Sequence, residues 1–385
     1  MSRKPAKSEA TPPGPPAPRA NPRLLGHADA ERLLLRAQRS GRLPHAWLIC
    51  GPRGIGKATL AFRFARFVLA GGPGTKGNAA PMEEGGLFGG LPAPQRDDLW
   101  TDPESAVFRR IAAGAHGDLM TVERGVNLRS GKPRSEITVD EVRPVRDFLH
   151  MTAAEGGWRI VVVDSADEMN PNAANALLKV LEEPPARALL LLVSHQPGRL
   201  VPTIRSRCCR LALEPLPEAT VLTLLADYAP ELAEDERAAL ARLAEGSIGR
   251  ALDLAAEGGL ALYGEIVALL QDLPRLDVTR LHALAERLAK GGQRDDGGTA
   301  FRTGGELLVW WLARLIRAGS QGALPPEVVA GEAALIDRLL RRRGLAQWLA
   351  LWDKVARLFA RAESANLDRK QVVITAFLEL EALAA

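Results

Sequence analysis

Gly51-Pro-Arg-Gly-Ile-Gly-Lys-Ala58 is the stretch of sequence that decides the fold. The apolar run His45-Ala-Trp-Leu-Ile-Cys50 comes directly before it and predicts a buried strand. Apolar residues at helical spacing follow over Ala58 to Leu69, so a helix is expected there. Strand, glycine-rich loop and helix in this order are typical of a phosphate-binding P-loop, with a plain glycine-rich turn as the alternative.

The loop keeps its glycines and its lysine but lacks a metal-binding hydroxyl. Tight turns at the glycines aim successive backbone N–H groups at a pyrophosphate, and Lys57 can reach the outer phosphates. Ala58 stands where a hydroxyl would bind magnesium, and Thr59 comes one residue too late, rotated by roughly 100° around the helix. The candidate nucleotide-binding residues of this element are Gly51, Gly54, Gly56, Lys57 and Thr59.

Length and composition limit the class of protein. A chain of 385 residues predicts two or three domains. Its net charge of +4 is compatible with nucleic-acid contacts but decides nothing alone. The three cysteines include no CxxC pair, which argues against a zinc ribbon and a disulfide framework. The most apolar stretch, Ala188 to Val193, is too short to span a bilayer, so we expect no membrane segment and a cytoplasmic location.

Short apolar strands alternate with amphipathic helices over residues 22–214, the α/β pattern of a parallel sheet with helices on both faces. The predicted strands are Ala46 to Cys50, Asp118 to Glu123, Arg159 to Asp164, Leu189 to Ser194 and Cys208 to Leu213. The predicted helices are Asp29 to Arg39, Ala58 to Leu69, Val139 to His150 and Asn172 to Glu182.

Three segments depart from this alternation. Residues 1–21 are basic and proline-rich and predict a disordered arm that is no signal peptide. Residues 71–98 are rich in glycine and proline and predict a surface insertion without chemistry. Only helices are predicted after the sheet, as a compact set over 215–257 and longer helices over 258–385. Residues 258–385 contain an apolar stripe at helical spacing, which indicates a protein core or a subunit interface. The stripe consists of Trp348, Trp352, Val355 and Phe359.

Arg159-Ile-Val-Val-Val-Asp164 is a buried strand that ends in a carboxylate, the form of a Walker B element. In P-loop ATPases this aspartate helps to hold magnesium and a following glutamate activates the attacking water; for Asp164, a simple turn residue is the alternative. Ser165 stands where that glutamate would be. Loss of such a general base lowers the rate of hydrolysis by about 10²- to 10⁴-fold. Asp167 and Glu168 are expected to lie where the chain has turned away. Together with Ala58, Ser165 predicts a lost hydrolytic activity.

The clearest signature is Asn175-Ala-Leu-Leu-Lys-Val-Leu-Glu-Glu-Pro-Pro185, a helix closed by two prolines. With Asp164 and Met169-Asn-Pro-Asn172 before it, this stretch resembles the signature of the AAA+ clamp-loader subunits of bacterial replicative DNA polymerase. Ser206-Arg-Cys208 is similar to a second motif of that family. The resemblance extends from about residue 21 through the C-terminal helices.

The resemblance implies an α/β P-loop AAA+ domain, a small helical lid domain and an all-α C-terminal collar domain. It implies that Arg207 is an arginine finger for the nucleotide site of a neighbouring subunit, a role worth about 10³- to 10⁵-fold in rate. The alternative is an intramolecular ion pair formed by one arginine among Arg205, Arg207 and Arg210. The further implied roles are sensor 2 for Arg250, sensor 1 for Ser194, and packing beside the adenine base for Leu24 to His27.

The function implied is that of an accessory subunit of a DNA-directed DNA polymerase holoenzyme, with little or no ATPase activity of its own. ATP or ADP would be bound without efficient hydrolysis, and no zinc is expected, because the family's zinc-binding cysteines are absent from residues 71–98. The implied partners are ATPase and delta-type subunits in a hetero-oligomeric ring, a sliding clamp, and primed DNA through its phosphates. The alternatives are an autonomous P-loop ATPase motor and a small-molecule phosphotransferase.

Overall fold

A computed structural model describes residues 14–71, 97–126, 131, 134–155, 157–290 and 298–385. Within these residues the chain forms two compact units. The first comprises Met1–Ala229 and Glu245–Gly249, and the second comprises Pro230–Ala244 and Arg250–Ala385. The first 13 residues of the predicted arm and residues 72–96 of the predicted insertion lie outside the described residues.

The first unit is built on a five-stranded parallel sheet in the order β2-β3-β4-β1-β5. The strands are β1 (Ala46–Cys50), β2 (Leu119–Val122), β3 (Arg159–Val163), β4 (Ala188–Ser194) and β5 (Cys209–Ala212). All five predicted strands are confirmed to within one residue at each end. The three central strands β1, β3 and β4 are buried at every residue and almost continuously apolar, because both faces of the sheet are covered by helices there. The edge strand β5 exposes three of its four residues.

The helices of the first unit confirm the predicted alternation and add two short elements. They are α1 (Ala28–Arg39), α2 (Lys57–Leu69), α3 (Ala106–Ala112), α4 (Val139–Val142), α5 (Pro144–His150), α6 (Pro171–Glu182), α7 (Pro202–Arg207) and α8 (Glu218–Tyr228). One prediction is wrong in detail, since Val139 to His150 is two helices. Pro144 has no N–H with which to continue the helical ladder, so the helix breaks before it. The elements α3 and α7 were not predicted.

The two faces of the sheet carry separate cores. Trp47 and Ile49 of β1 pack with α2 on one face, where Phe64 is fully buried. Leu48 of the same strand packs on the other face with α6, where Leu177 is fully buried. Alternate residues of a strand point to opposite faces, so this division follows directly from the strand sequence.

The chain before α1 is held against α2. Residues Pro18–Ala20 form a single 3-10 turn, and Asn21 is 7% exposed. The Arg66 guanidinium of α2 donates from Nη2 to the Asn21 carbonyl at 2.8 Å and stacks over the Phe108 ring. The expectation of disorder through residue 21 is therefore wrong for the end of the arm, where a buried arginine satisfies the backbone carbonyls.

The second unit is all-helical in its described part. Its helices are α9 (Glu234–Leu243), α10 (Ile248–Ala256, whose first two residues belong to the first unit), α11 (Gly259–Leu270), α12 (Val278–Lys290), α13 (Gly298–Gln321), α14 (Glu332–Arg342), α15 (Leu345–Ser364) and α16 (Arg369–Ala384). In the predicted stripe of α15, Trp348 and Val355 are fully buried, while Trp352 and Phe359 are half-buried. No described helix combines the length and the apolar character needed to cross a membrane.

Candidate functional site

The glycine-rich loop leaves the carboxyl end of β1 and turns directly into α2. Gly51, Gly54 and Gly56 have positive φ angles of 150°, 76° and 99°. Gly54 is also a point of close approach, because a Cβ there would collide with the Ser247 hydroxyl and lie 3.0 Å from the Gly249 Cα. The loop conformation and its contact with residues 247–249 thus both require glycine.

Every carbonyl of the loop from residue 52 to residue 55 accepts a hydrogen bond. The Pro52 carbonyl accepts from Lys57 Nζ, and the Arg53 carbonyl accepts from Ser247 Oγ at 2.7 Å. The Gly54 carbonyl accepts from the Gly249 N–H at 3.0 Å, and the Ile55 carbonyl accepts from His27 Nε2 at 2.7 Å. Since a carbonyl can only accept, the buried His27 ring carries its proton on Nε2. Leu24, from the same predicted segment, also lies against the loop at Gly56.

The backbone N–H groups at the start of α2 are arranged differently. Within the described chain, those of residues 56–59 form no hydrogen bond. These are the orphan donors of a helix N-terminus, and they carry the positive end of the helix dipole. The carbonyls of residues 52–55 are hydrogen-bonded within the protein, whereas the N–H groups of residues 56–59 are available to a ligand. The loop is therefore suited to an anion such as a phosphate.

Lys57 is the buried charged group of this loop, at 3% exposed, whereas Arg53 of the same loop is exposed. Burial lowers the pKa of its ammonium to about 8, while the nearby Asp167 and Asp164 carboxylates raise that pKa. The expectation that Asp167 turns away from the site is therefore wrong. Its carboxylate accepts the backbone N–H groups of His195 at 2.9 Å and Gln196 at 3.1 Å, which joins the ends of β3 and β4.

The end of β3 carries the predicted carboxylate and an unpredicted histidine contact. Asp164 is half-buried, and burial together with the Glu123 charge raises its pKa, whereas Lys57 lowers it. Ser165 has a left-handed backbone with φ 64°, and its Oγ lies 3.2 Å from His195 Nε2. Burial lowers the pKa of His195 to about 4, with the Lys57 charge acting in the same direction. A hydroxyl and a neutral imidazole thus occupy the position after the strand.

Two hydroxyls named from the sequence are buried. Thr59 is 8% exposed and Ser194 is fully buried at the end of β4, whereas Ala58 is half-buried. Arg250 follows Gly249 in α10 and belongs to the second unit. Among the described residues, no group of three or more His, Cys, Asp or Glu side chains is placed to hold a metal ion.

Arg207 lies at the end of α7, and its guanidinium has partners within the chain. Its Nη2 is 2.9 Å from Glu182 Oε1 and its Nη1 donates to the Thr203 carbonyl at 3.1 Å. The intramolecular ion pair considered from the sequence is therefore formed by Arg207. Arg205 is exposed and makes no ion pair within the described residues.

The register of β5 separates Arg207 from the loop of its own chain. Cys209 pairs with Trp47 of β1, so Arg207 lies near the amino ends of the parallel strands. Gly51 lies beyond the carboxyl end of β1, four residues after Trp47, which is about 13 Å along a strand. The structure brings Lys57, Asp164 and the loop together at one edge of the sheet, and it places Arg207 toward the other edge.

His195 and Glu182 are the residues that sequence reasoning missed, and Asp167 is a residue that it placed wrongly. A usable signal existed for His195, because it directly follows β4 and parallel strands end at a common edge. No comparable signal existed for Glu182, whose contact with Arg207 joins the ends of two helices that are 25 residues apart in sequence, counted from 182 to 207.

Parts of this chain are similar to known proteins. Residues 92–217 match the model of the family described as DNA polymerase III, delta subunit. DNA polymerase III subunit delta' of Pseudomonas aeruginosa is 38% identical over 216 residues, which are 55% of this chain and 57% of that protein. The Escherichia coli delta' subunit is 34% identical over 226 residues, 59% of this chain and 58% of that protein.

A gamma/tau subunit of DNA polymerase III from Mycobacterium bovis is 31% identical over 204 residues, 53% of this chain and 30% of that protein. A solved DNA polymerase III gamma subunit-related protein from Thermotoga maritima aligns over 92% of this chain and 99% of its own, with a TM-score of 0.38 and 17% identity. The chain spans a little over half the length of the delta' relatives that it matches. Over that span, the chain is similar in sequence to the delta' subunits of DNA polymerase III.

Proposed function

We propose that this chain is a delta'-type clamp-loader subunit that supplies Arg207 in trans to the ATP site of a neighbouring subunit. It sits in a hetero-oligomeric ring with ATPase subunits and a delta-type subunit, and the ring loads a sliding clamp onto primed DNA during replication. The similarity to delta' and gamma/tau subunits supports this assignment. The chain is then an accessory subunit of the polymerase holoenzyme in the cytoplasm.

The position of Arg207 is the observation that carries the proposal. The register of β5 puts Cys209, two residues after Arg207, level with Trp47, which is about 13 Å along the strand from Gly51 at the start of the P-loop. The Arg207 side chain remains 35% exposed, so a partner can reach it. A guanidinium that stays charged and offers a planar fork of donors suits the phosphate oxygens of another subunit.

The chain's own site supports binding of ATP or ADP without efficient hydrolysis. The N–H groups of residues 56–59 and the ammonium of Lys57 supply anion contacts. Ala58 provides no magnesium ligand, and the Ser165 hydroxyl with a neutral His195 provides no carboxylate base. We assign Gly51, Gly54, Gly56, Lys57, Thr59 and Asp164 to the nucleotide site, with Arg250 as sensor 2.

The second candidate is an autonomous ATPase motor. The observation that favours it is the P-loop, whose N–H groups at residues 56–59 and Lys57 ammonium are suited to a phosphate. That candidate requires magnesium-dependent turnover by the isolated chain, for which Ala58 and Ser165 lack the chemistry. The helical residues 215–257 and 258–385 serve, in our proposal, as the lid and as the collar that joins the ring. Contacts with DNA are made mainly to phosphates, so binding weakens steeply with added salt.

The proposal is tested by substituting arginines in a reconstituted complex. Arg207→Ala should lower the DNA-stimulated ATP turnover of the complex by tenfold or more without dismantling it, since fingers supplied in trans are worth about 10³- to 10⁵-fold. Arg205→Ala, two residues away and equally charged, is the matched control and should leave turnover unchanged. Normal turnover with Arg207→Ala would remove the finger assignment.

A further inference from the structure

Arg207 and Glu182 meet where two helices end. Glu182 is the last residue of α6 and Arg207 is the last residue of α7. The ion pair joins Arg207 Nη2 to Glu182 Oε1 at 2.9 Å, while Thr203 accepts from Nη1 through its carbonyl at 3.1 Å. The guanidinium is thereby fixed by one contact to its own helix and one contact to the neighbouring helix.

Both helices are anchored in the same core, so the two ends form a firm support. Ile204 of α7 is fully buried and Leu181 of α6 is 2% exposed, and both belong to the core on one face of the sheet. The helix α6 must finish at Glu182, because Glu183 precedes a proline and leaves the helical region. The carboxylate that holds Arg207 is therefore set by a helix end and not by a mobile loop.

The remaining donors of Arg207 stay available. Arginine carries five N–H donors in a rigid fork, and the two contacts of Arg207 occupy one donor on each terminal nitrogen. Fixing the fork in advance removes rotamer freedom that would otherwise be lost when a partner binds. The half-exposed side chains, 35% for Arg207 and 49% for Glu182, leave the pair open to an approaching subunit.

We propose that Glu182 is a positioning residue for Arg207: it holds the guanidinium so that its free N–H groups face the phosphates of a neighbouring subunit's nucleotide. This inference rests on the proposed function of Arg207. Glu182 acts only through Arg207 and touches no reacting atom. Its effect is confined to the rate of the neighbour's hydrolysis and does not extend to assembly of the ring.

Glu183 offers a matched control within the same chain. It is adjacent to Glu182, carries the same charge and is exposed, and it forms no ion pair among the described residues. Substitution of either residue by alanine therefore changes the net charge equally. A general electrostatic effect would appear in both variants, whereas orientation of Arg207 would appear only in Glu182→Ala.

The experiment is a double-mutant comparison of DNA-stimulated ATP turnover at saturating ATP in the reconstituted complex, with ring assembly checked by gel filtration. We expect Glu182→Ala to lower turnover by about two- to fivefold, the range set by a half-exposed ion pair. Glu183→Ala should match the unaltered chain. Glu182→Gln, whose amide oxygen still accepts from the guanidinium, should retain part of the lost rate.

In an Arg207→Ala background, Glu182→Ala should have no further effect, because a positioning residue has nothing left to position. Unchanged or raised turnover with Glu182→Ala, or the same loss in the Arg207→Ala background, would overturn the role of Glu182 alone. Unchanged turnover with Arg207→Ala would overturn the proposed function and the role of Glu182 together.

Discussion

The Gly249 amide N–H donates to the Gly54 carbonyl at 3.0 Å, which joins the start of α10 to the P-loop through backbone atoms alone. A Cβ on Gly249 would lie 2.8 Å from the Gly54 Cα, too close for real contacts. The conformation of the loop is thus held by a residue almost 200 positions further along the chain.

Substitution at this contact should destabilise the first unit. We expect Gly249→Ala to lower the free energy of unfolding by about 1–3 kcal/mol, because the added methyl group meets backbone that cannot rotate away. Gly264→Ala is the control, since a Cβ there has no neighbour within 4 Å and its helical position favours alanine. Urea unfolding of both variants checks this, and equal stability of the two would contradict it.

Nucleotide affinity should fall as pH rises above about 8. Burial lowers the pKa of Lys57 to about 8, so its ammonium is charged below that pH and loses its charge above it. Binding of a fluorescent ADP, titrated between pH 6.5 and 9.5, would show the decline. Lys57→Ala should bind weakly at every pH, and an unaltered pH dependence in that variant would assign the effect to another group.

His195 should make the protein less stable in mild acid. Its folded pKa of about 4 lies below its ordinary value of 6.5, so the unfolded chain binds the proton more readily between these values. Stability is therefore full above about pH 6.5 and falls as pH decreases towards 4. His195→Gln should reduce the difference in unfolding free energy between pH 7.5 and pH 5, measured by urea unfolding. If His195→Gln showed the same difference in unfolding free energy between pH 7.5 and pH 5 as the unaltered chain, the assignment of this pH dependence to His195 would be contradicted.

The second unit depends on a buried carboxylate. Glu332 is fully buried, accepts from Tyr263 Oη at 2.5 Å and from the Val328 N–H at 2.9 Å, and lies 3.1 Å from Arg314 Nε. Glu332→Ala leaves the Arg314 cation buried without its partner, so we expect a loss of about 3–5 kcal/mol of unfolding free energy.

The exposed pair of Asp337 and Arg341 provides the comparison for Glu332. Asp337→Ala should cost less than about 1 kcal/mol, since exposed pairs contribute little. Calorimetry of both variants separates the two cases. Similar melting temperatures would show that the buried cluster is not a stabilising element.

Local sequence patterns predicted most of the fold and the centre of the site. The strand Ala46–Cys50 and the loop after it were predictable because their residue types act over short distances, through apolar runs and glycine turns. The contacts that complete the site were not. Asp167 accepts hydrogen bonds from the residues that follow β4, and Gly249 contacts Gly54, through packing between segments distant in sequence.

The short helix α7 shows why a local pattern alone was insufficient for Arg207. Its six residues are too few to display helical periodicity, so α7 was not among the helices predicted from the sequence. The position of Arg207 near the amino ends of the strands depends on the register of β5 against β1, which only the folded sheet defines. That register is what separates the arginine from its own P-loop.

Phosphate release from ATP by the purified chain with magnesium tests the central claim most directly, namely that this protein assists another subunit's hydrolysis and performs none itself. With Ala58 and Ser165 at the hydrolytic positions, we predict a background rate that Lys57→Ala does not reduce. Magnesium-dependent turnover that is lost in Lys57→Ala would contradict the account.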